Sequence, residues 1–335
     1  MIKIGPYTSP NRLILAPMAG ITDQPFRVLC RQFGAGLTPS EMVWSQGHLY
    51  KTKKTQNRIT HNGEPEPIIV QIAGGDPEML KQAALLNIKE GAQIIDINMG
   101  CPAKKVCNKL AGSALMQDES LVADILSTVV SSVNVPVTLK IRTGWNTDNK
   151  NALKIAKIAE NSGIQLLSIH GRTRCQKYTG SAEYDTISEI KQSISIPVIA
   201  NGDIDSEQKA KYVLDYTKAD GIMIGRAAQG KPWIFEQIQY FLEHNQYLDE
   251  PTNEQKYALM KQHLYNLHQF YGDYMGIRIA RKHIGWYLET ITNQLQAKQF
   301  KRQFNCLEST HSQFTALASF FNQLNNNPIQ YKASI

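Results

Sequence analysis

Short β-branched runs recur through the first two thirds of the chain, separated by longer stretches with helical spacing. The runs predict strands at 12–18 (RLILAPM), 37–43 (LTPSEMV), 68–73 (IIVQIA), 93–99 (QIIDINM), 137–142 (VTLKIR), 166–171 (LLSIHG), 197–202 (PVIANG) and 221–225 (GIMIG). They are mostly apolar rather than alternating, the pattern of strands covered on both faces in a parallel sheet. Helical spacing occupies 78–90, 119–133, 151–162 and 206–216, with Asp76-Pro77 as cap and first-turn proline for the first and Ser206 as cap for the last. Eight strands alternating with helices predict an α/β fold, a closed (β/α)8 TIM barrel. The alternative, an open doubly wound sheet, would usually carry a glycine-rich turn after its first strand, and the chain has none there.

Past about residue 235 the strand-like runs stop. The segments 253–271, 275–292 and 300–324 read as amphipathic helices, and the polar stretch 244–253 (HNQYLDEPTN) reads as a linker. The expected organisation is a barrel domain, 1–243, followed by a small all-helical domain, 244–335.

Composition narrows the class. The chain has 335 residues, 42% of them hydrophobic, which suits a barrel with an appendage and excludes wholesale disorder. Its net charge of +7 favours polyanionic partners without demanding them. Five scattered cysteines without CxxC spacing give neither a disulfide framework nor a zinc ribbon, so a reducing compartment and no metal are expected. The first residues lack the apolar core of a signal peptide, and no apolar run is long enough for a bilayer. The expectation is a cytoplasmic protein with no membrane association and no obligate protein partner.

Candidate chemistry lies at the strand ends. Barrel enzymes work at the C-terminal ends of their strands. Strand by strand, those ends carry Pro17-Met18-Ala19, Glu41, Gln71, Asn98 to Pro102 with Cys101, Lys140 and Arg142, His170, Asn201-Gly202-Asp203, and Gly225-Arg226. Each alone reads equally well as a satisfied buried polar group. Their recurrence at equivalent positions is what a purely structural barrel does not require.

The last two strand ends point to a phosphate. Loops after strands seven and eight of barrels often bind one, and small residues there let backbone N–H groups approach while Arg226 adds a forked cation. A tight turn with a surface arginine is the alternative. Lys140 suits the pyrimidine end of a flavin, where negative charge collects on reduction, Gln71 could bond the same edge, and Pro17 to Ala19 could pack on the ring. A phosphate anchor with a cation and an amide at ring distance suggests FMN rather than a dinucleotide. Cys101, between Gly100 and Pro102, sits on a tight loop followed by Lys104, Lys105 and Lys109, a cationic neighbourhood expected to favour thiolate. An inert buried cysteine is the alternative. Cys30, Cys107 and Cys175 are read as structural.

Taken in order, APMAGITDQPFR (16–27), INMGCPAKKV (97–106), LKIRTGW (139–145), IHGRTR (169–174), IANGDI (199–204) and MIGRAAQGKPWIF (223–235) resemble the tRNA-dihydrouridine synthases. The runs 100–116 and 278–288 are most similar to the bacterial B-type branch. The resemblance covers essentially the whole chain, and only 289–304 is less familiar. It implies an FMN enzyme, reduced by NADPH, that passes hydride to C6 of a tRNA uridine while the cysteine matching Cys101 protonates C5. It also implies that Pro17, Met18, Ala19, Gln71, Lys140, His170, Asn201, Gly202, Asp203, Gly225 and Arg226 contact the flavin. Asn98 and Arg142 would then face the substrate, and the B-type likeness implies a D-loop uridine, position 17. The chemistry suits a thiol: hydride addition at C6 leaves an enolate that needs a proton at C5 from an acid with a pKa near working pH.

A buried base must be drawn out of the folded RNA. On 275–292 the residues Ile277, Ala280, Ile284, Tyr287, Leu288 and Ile291 form an apolar stripe. Arg278, Arg281 and Lys282 follow i, i+3, i+4 spacing on another face that could grip phosphates, or simply be a solvated basic face. Two further readings stay open: a flavin barrel enzyme for a free small molecule, which would not need the basic helix, and an RNA-binding protein with a vestigial flavin site.

Overall fold

The computed structural model describes residues 1–45, 57–108, 110–291 and 293–326. Eight parallel strands form one sheet: β3 (Leu13–Leu15), β4 (Val43–Trp44), β5 (Ile69–Ala73), β6 (Ile94–Met99), β7 (Val137–Arg142), β8 (Leu167–His170), β9 (Val198–Asn201) and β10 (Gly221–Ile224). Their order, β3-β10-β9-β8-β7-β6-β5-β4, is that of a ring cut between the first two strands. The cut is bridged where Ile14 pairs with Leu37 in parallel and the Leu15 N–H donates to the Leu37 carbonyl at 2.9 Å. The architecture is the α/β barrel expected from the sequence, with helices between the strands and a helical C-terminal part.

The second strand is shorter than its apolar run predicts. Of 37–43 only Val43 enters regular pairing, since Pro39 lacks the N–H a ladder needs and the chain around it touches its neighbours through single bonds. One of these runs from the Ser40 N–H to the Ile69 carbonyl, 2.9 Å. The structure also adds an element that periodicity missed, a two-residue antiparallel hairpin of β1 (Lys3–Ile4) and β2 (Tyr7–Thr8). Ile4 of this hairpin and Ile2 just before it are buried in one cluster with Ile14, Ile69, Ile94 and Ile199, which lie at or near the strand starts. The hairpin therefore plugs the N-terminal end of the barrel and leaves the other end for chemistry.

Local signals set the surrounding helices. Asp76 accepts from the Met79 N–H at 2.8 Å with Pro77 in the first turn, and Ser206 accepts from the Lys209 N–H at 3.2 Å. Asp118 and Asp23 cap two more helices in the same way.

Two compact units emerge, the first comprising Met1–Ala227 with Trp233–Asn245, the second Ala228–Pro232 with the chain from Gln246 onward. In the second unit the first two anticipated helices run together as Asn253–Tyr287, kinked at Gly272, whose φ of 72° favours glycine. The third separates into Gln294–Asn305 and Thr310–Asn326, interrupted where Ser309 caps the Ser312 N–H at 3.1 Å. The stripe Ile277, Ala280, Ile284, Tyr287, Leu288 and Ile291 is buried as expected. Phe300 stacks on Phe320 with ring centroids 4.3 Å apart. Among the described residues no helix is long and apolar enough to cross a membrane.

Candidate active site

Parallel strands bring their C-terminal ends to one face, and in the first unit this gathers residues far apart in sequence. Cys101 follows β6 and is partly exposed. Its loop is tied from both sides. The Asn98 Oδ1 accepts from the N–H groups of Gly100 (3.1 Å) and Cys101 (3.0 Å), and the Cys101 carbonyl accepts from the Ser113 N–H (3.1 Å) and hydroxyl (2.9 Å). Gly112, at φ 60°, completes the clamp: a Cβ there would lie 2.8 Å from the Cys101 carbonyl oxygen and 2.7 Å from Val106. Cys107 belongs to the same clamp, its thiol 3.7 Å from the Cys101 carbonyl.

The electrostatics of Cys101 differ from the expectation of a lysine-driven thiolate. Burial is the largest influence and pushes the thiol pKa up; the Ala103 N–H, Arg142 and Lys140 pull it down by less. Lys104 is exposed, while Lys109 and the Lys105 side chain lie outside the described residues. The sulfur is therefore a thiol near neutral pH, an acid with cations nearby to receive the thiolate it would leave.

Lys140 reaches across to β9, where its Nζ donates to the Asn201 Oδ1 at 3.1 Å; the Asn201 amide in turn donates to the Met223 carbonyl at 2.7 Å. Desolvation, helped by the charge of Arg142, lowers the Lys140 pKa to about 8, so the ammonium is charged at neutral pH but not far above it. Arg142 is fully buried. It donates to the carbonyls of Gly100 (2.8 Å), Thr173 (2.9 Å) and Lys177 (2.9 Å), stapling the loop after β8 to the Cys101 loop. Asn98 and Arg142, implied as substrate-facing by the family likeness, are thus both engaged in holding the loop that carries the thiol.

His170, at the end of β8, is kept neutral: burial, then the charges of Lys140, Arg142, Arg172 and Arg226, bring its pKa down to about 2. An Arg172 N–H lies 3.4 Å from its Nε2, so that nitrogen is the acceptor and the proton sits on Nδ1. Gly202, at φ 128°, packs against this ring, and a Cβ there would come within 3.0 Å of it. Asp203 is occupied by its own chain. It takes a bidentate pair from Arg172, a bond from Arg226 (3.0 Å) and one from the Ala182 N–H (2.8 Å). Its side chain thus serves to orient two arginines.

Pro17 and Met18 are half-buried and Ala19 is exposed at the same face. Gly225 borders them, and a Cβ there would meet only ordinary contacts at 3.6 Å from Ala16 and Met18. Glu41 accepts from the Gly20 N–H and from Arg58, a turn-holding role. Gln71 is buried, with its amide between Asp96 and Asn98.

Three residues at or beneath this face were not singled out by sequence reasoning. Arg172 was visible only as part of a motif, and Asp96 only as one polar letter inside an apolar strand. Tyr178 carried no signal; its ring is 55% exposed. It lies 5.6 Å from the Arg142 guanidinium, 5.2 Å from that of Arg226 and 6.1 Å from the His170 ring.

In the second unit the basic row is less uniform than its spacing implied. Arg278 is exposed, with its guanidinium 4.0 Å over the Tyr274 ring. Arg281 and Lys282 are half-buried, and Arg281 donates to the Leu307 carbonyl at 3.0 Å. His283, beside them in sequence, is buried.

Comparison with known proteins agrees with this arrangement. The barrel is similar to an old yellow enzyme homologue from Zymomonas mobilis, with a TM-score of 0.52 over 76% of this chain and 94% of that one, at 14% identity. It is also similar to a 2-naphthoyl-CoA reductase, with a TM-score of 0.55 over 71% of this chain and 51% of that one, again at 14% identity. At such identities the likeness concerns the fold. Sequence relatives are far nearer. A tRNA-dihydrouridine synthase B of Pseudomonas aeruginosa is 57% identical over 98% of both chains, and one of Pseudomonas syringae is 60% identical over 96% of this chain and 95% of its own. The family model described as dihydrouridine synthase matches residues 14–325. With a family match of that extent and relatives of that identity, the chain belongs to the dihydrouridine synthase family.

Proposed function

We propose that this protein is a tRNA-dihydrouridine synthase that uses FMN and NADPH to reduce the C5=C6 bond of a D-loop uridine, position 17, with Cys101 as the proton donor. The observation that carries the reading is the setting of Cys101: a partly exposed residue on the loop after β6, tied down by Asn98 and Ser113, with the Arg142 guanidinium bonded to the adjoining Gly100 carbonyl.

The residues present fit a flavin mononucleotide. A side chain at Gly225 would begin in ordinary contact with Ala16 and Met18, and Arg226 and Lys140 supply positive charge for an anionic group. Pro17 to Ala19, Gln71, Lys140, His170, Asn201 to Asp203 and Gly225-Arg226 would hold the group, Lys140 and Gln71 supplying a cation and an amide to it and Arg226 a cation for its phosphate. When bound and reduced by NADPH, FMN supplies the hydride that C6 accepts.

The chain's own groups do the rest. Cys101 gives its proton to C5, so the base gains one hydride and one proton, and the thiolate left behind is reprotonated from solvent. Arg142 and Lys140 offset that negative charge while it lasts. His170, neutral, can donate from Nδ1 without adding another cation. The barrel domain, 1–243, is assigned the chemistry and the helical domain, 244–335, the tRNA. There Arg278, Arg281 and Lys282 are assigned to phosphates, with Arg278 the most available. A cytoplasmic location follows from such a substrate.

The test has two parts. The purified protein should show oxidised-flavin absorbance that NADPH bleaches and tRNA restores. Transfer RNA from a strain lacking the gene should lack dihydrouridine at position 17 and regain it with the wild-type gene but not with Cys101→Ala. A colourless protein, or full restoration by Cys101→Ala, overturns the reading.

A further inference from the structure

Beneath the mouth, Asp96 is buried on β6 with 4% exposure, and the reaction assigned above makes no use of it. Its Oδ2 accepts from the Gln71 Nε2 at 2.7 Å and its Oδ1 from the Thr138 hydroxyl at 2.6 Å. The Gln71 Oε1 accepts from the Asn98 Nδ2 at 2.7 Å, and the Asn98 Oδ1 accepts from the N–H groups of Gly100 and Cys101. Asp96, Gln71 and Asn98 are all buried.

This chain of bonds has a direction. An ionised carboxylate only accepts, whereas an amide has one donating and one accepting end. Gln71 must therefore turn its NH2 to Asp96, which leaves its carbonyl for Asn98. Asn98 must then turn its own NH2 to Gln71, which leaves its carbonyl oxygen for the two N–H groups at Cys101. Reversing the amides would set the Asn98 NH2 against those N–H groups, donor against donor in a buried place, and leave each of them unpaired. On its other side Asp96 borders a small cavity whose side chains, apart from Thr138 and Ser168, are apolar. Burial leaves the carboxyl pKa above its ordinary value, a rise that the bonds from Thr138 and Gln71 and the charge of Lys140 offset only in part.

We propose that Asp96 is a positioning residue: its carboxylate sets the polarity of the Gln71 and Asn98 amides and, through them, holds the Cys101 loop where the thiol can deliver its proton. The inference rests on the assignment of Cys101 as donor. Asp96 itself reaches neither substrate nor cofactor.

Two variants of the holoenzyme test it. Asp96→Leu removes the acceptor and keeps the same branched heavy-atom skeleton, with a bulkier side chain. Asp96→Asn keeps an oxygen for Gln71 and can place its NH2 against the Thr138 oxygen. Stopped-flow absorbance separates reduction by NADPH from reoxidation by tRNA. Reduction is expected within about twofold of wild type in both, while reoxidation falls about a hundredfold in Asp96→Leu and returns to within about tenfold in Asp96→Asn. Independently of turnover, the rate of Cys101 alkylation by iodoacetamide, followed by peptide mass spectrometry, should change in Asp96→Leu and return toward wild type in Asp96→Asn. Unchanged reoxidation in Asp96→Leu, equal slowing of both steps, or no rescue by Asp96→Asn overturns the proposal. Should Asp96→Leu fail to fold, Asp96→Asn with Thr138→Val takes its place. There the amide at 96 loses its second partner, so reoxidation should fall while reduction persists, and unchanged reoxidation again overturns the proposal. Cys101→Ala measured in parallel separates the two assignments. If it keeps its tRNA step, the donor assignment fails; if it loses that step and Asp96→Leu does not, the Asp96 inference alone fails.

Discussion

Arg172 and Asp203 form a bidentate pair joining the loops after β8 and β9, with Nη1 to Oδ1 at 2.8 Å and Nη2 to Oδ2 at 2.5 Å. The arginine side chain is 2% exposed and the carboxylate 26%. Arg172 also donates to the carbonyls of Thr179 and Gly180, so the pair closes the turn that carries Tyr178.

Breaking that pair should be costly. Asp203→Asn leaves a buried guanidinium facing a neutral amide, and a loss of about 2–3 kcal/mol is expected after discounting for the exposed carboxylate. Urea unfolding of holoprotein at pH 7 measures it. The pH dependence has a defined sign. Although burial alone would raise it, bonds from Arg172 and Ala182 and the charges of Arg172 and Arg226 leave the Asp203 pKa below its ordinary value. Its contribution is present above the unfolded value of about 3.9 and is lost as pH falls through the lower folded value. His170 adds a window at higher pH: held neutral when folded, it favours folding fully above about 6.5 and loses that contribution as pH falls toward about 2. Asp203→Asn should flatten only the more acidic part of the stability curve. A curve parallel to wild type throughout would refute this.

Gly112→Ala should damage the site without emptying it. The new Cβ meets the Cys101 carbonyl and Val106 at under 3 Å, and φ 60° adds strain of about 1–2 kcal/mol. The loop carrying Cys101 has to shift. Flavin content should stay near wild type while dihydrouridine formation drops about a hundredfold. Turnover at the wild-type rate would show that the loop tolerates the displacement.

Tyr178 offers an exposed ring at the site mouth, and stacking on an extruded base is worth about 1–3 kcal/mol. Tyr178→Ala should therefore raise KM for tRNA by roughly fivefold to a hundredfold, with Tyr178→Phe near wild type. Reduction by NADPH should be unaffected. Equal KM values for the alanine and wild-type proteins would remove Tyr178 from substrate binding.

Arg278 is the basic residue of the long helix best placed for a phosphate, being exposed above Tyr274. Arg278→Glu should weaken tRNA binding and lower the slope of log affinity against log salt by about one. Arg281→Ala should instead lower thermal stability, since its guanidinium bonds the Leu307 carbonyl at the turn between two helices. Salt titrations of binding together with melting curves distinguish the two; interchanged phenotypes would overturn the division of roles.

The sequence by itself determined which residues reach the working face. Strand periodicity places Cys101, Lys140, His170, Asn201 and Arg226 at strand ends, and in a parallel barrel every strand end points the same way. Caps such as Asp76 and Ser206 were equally plain, because they act within three residues of themselves. What those residues touch is a different kind of fact. Gln71 meets Asp96 across 25 positions, Arg172 meets Asp203 across 31, and Lys140 meets Asn201 across 61. No local pattern encodes such pairings; they exist only once the ring closes. The protonation of Cys101 is the clearest case. Charged neighbours in sequence pointed to a thiolate, yet the charge of a thiol depends on how much water surrounds it. Burial, which only tertiary packing decides, keeps it a thiol.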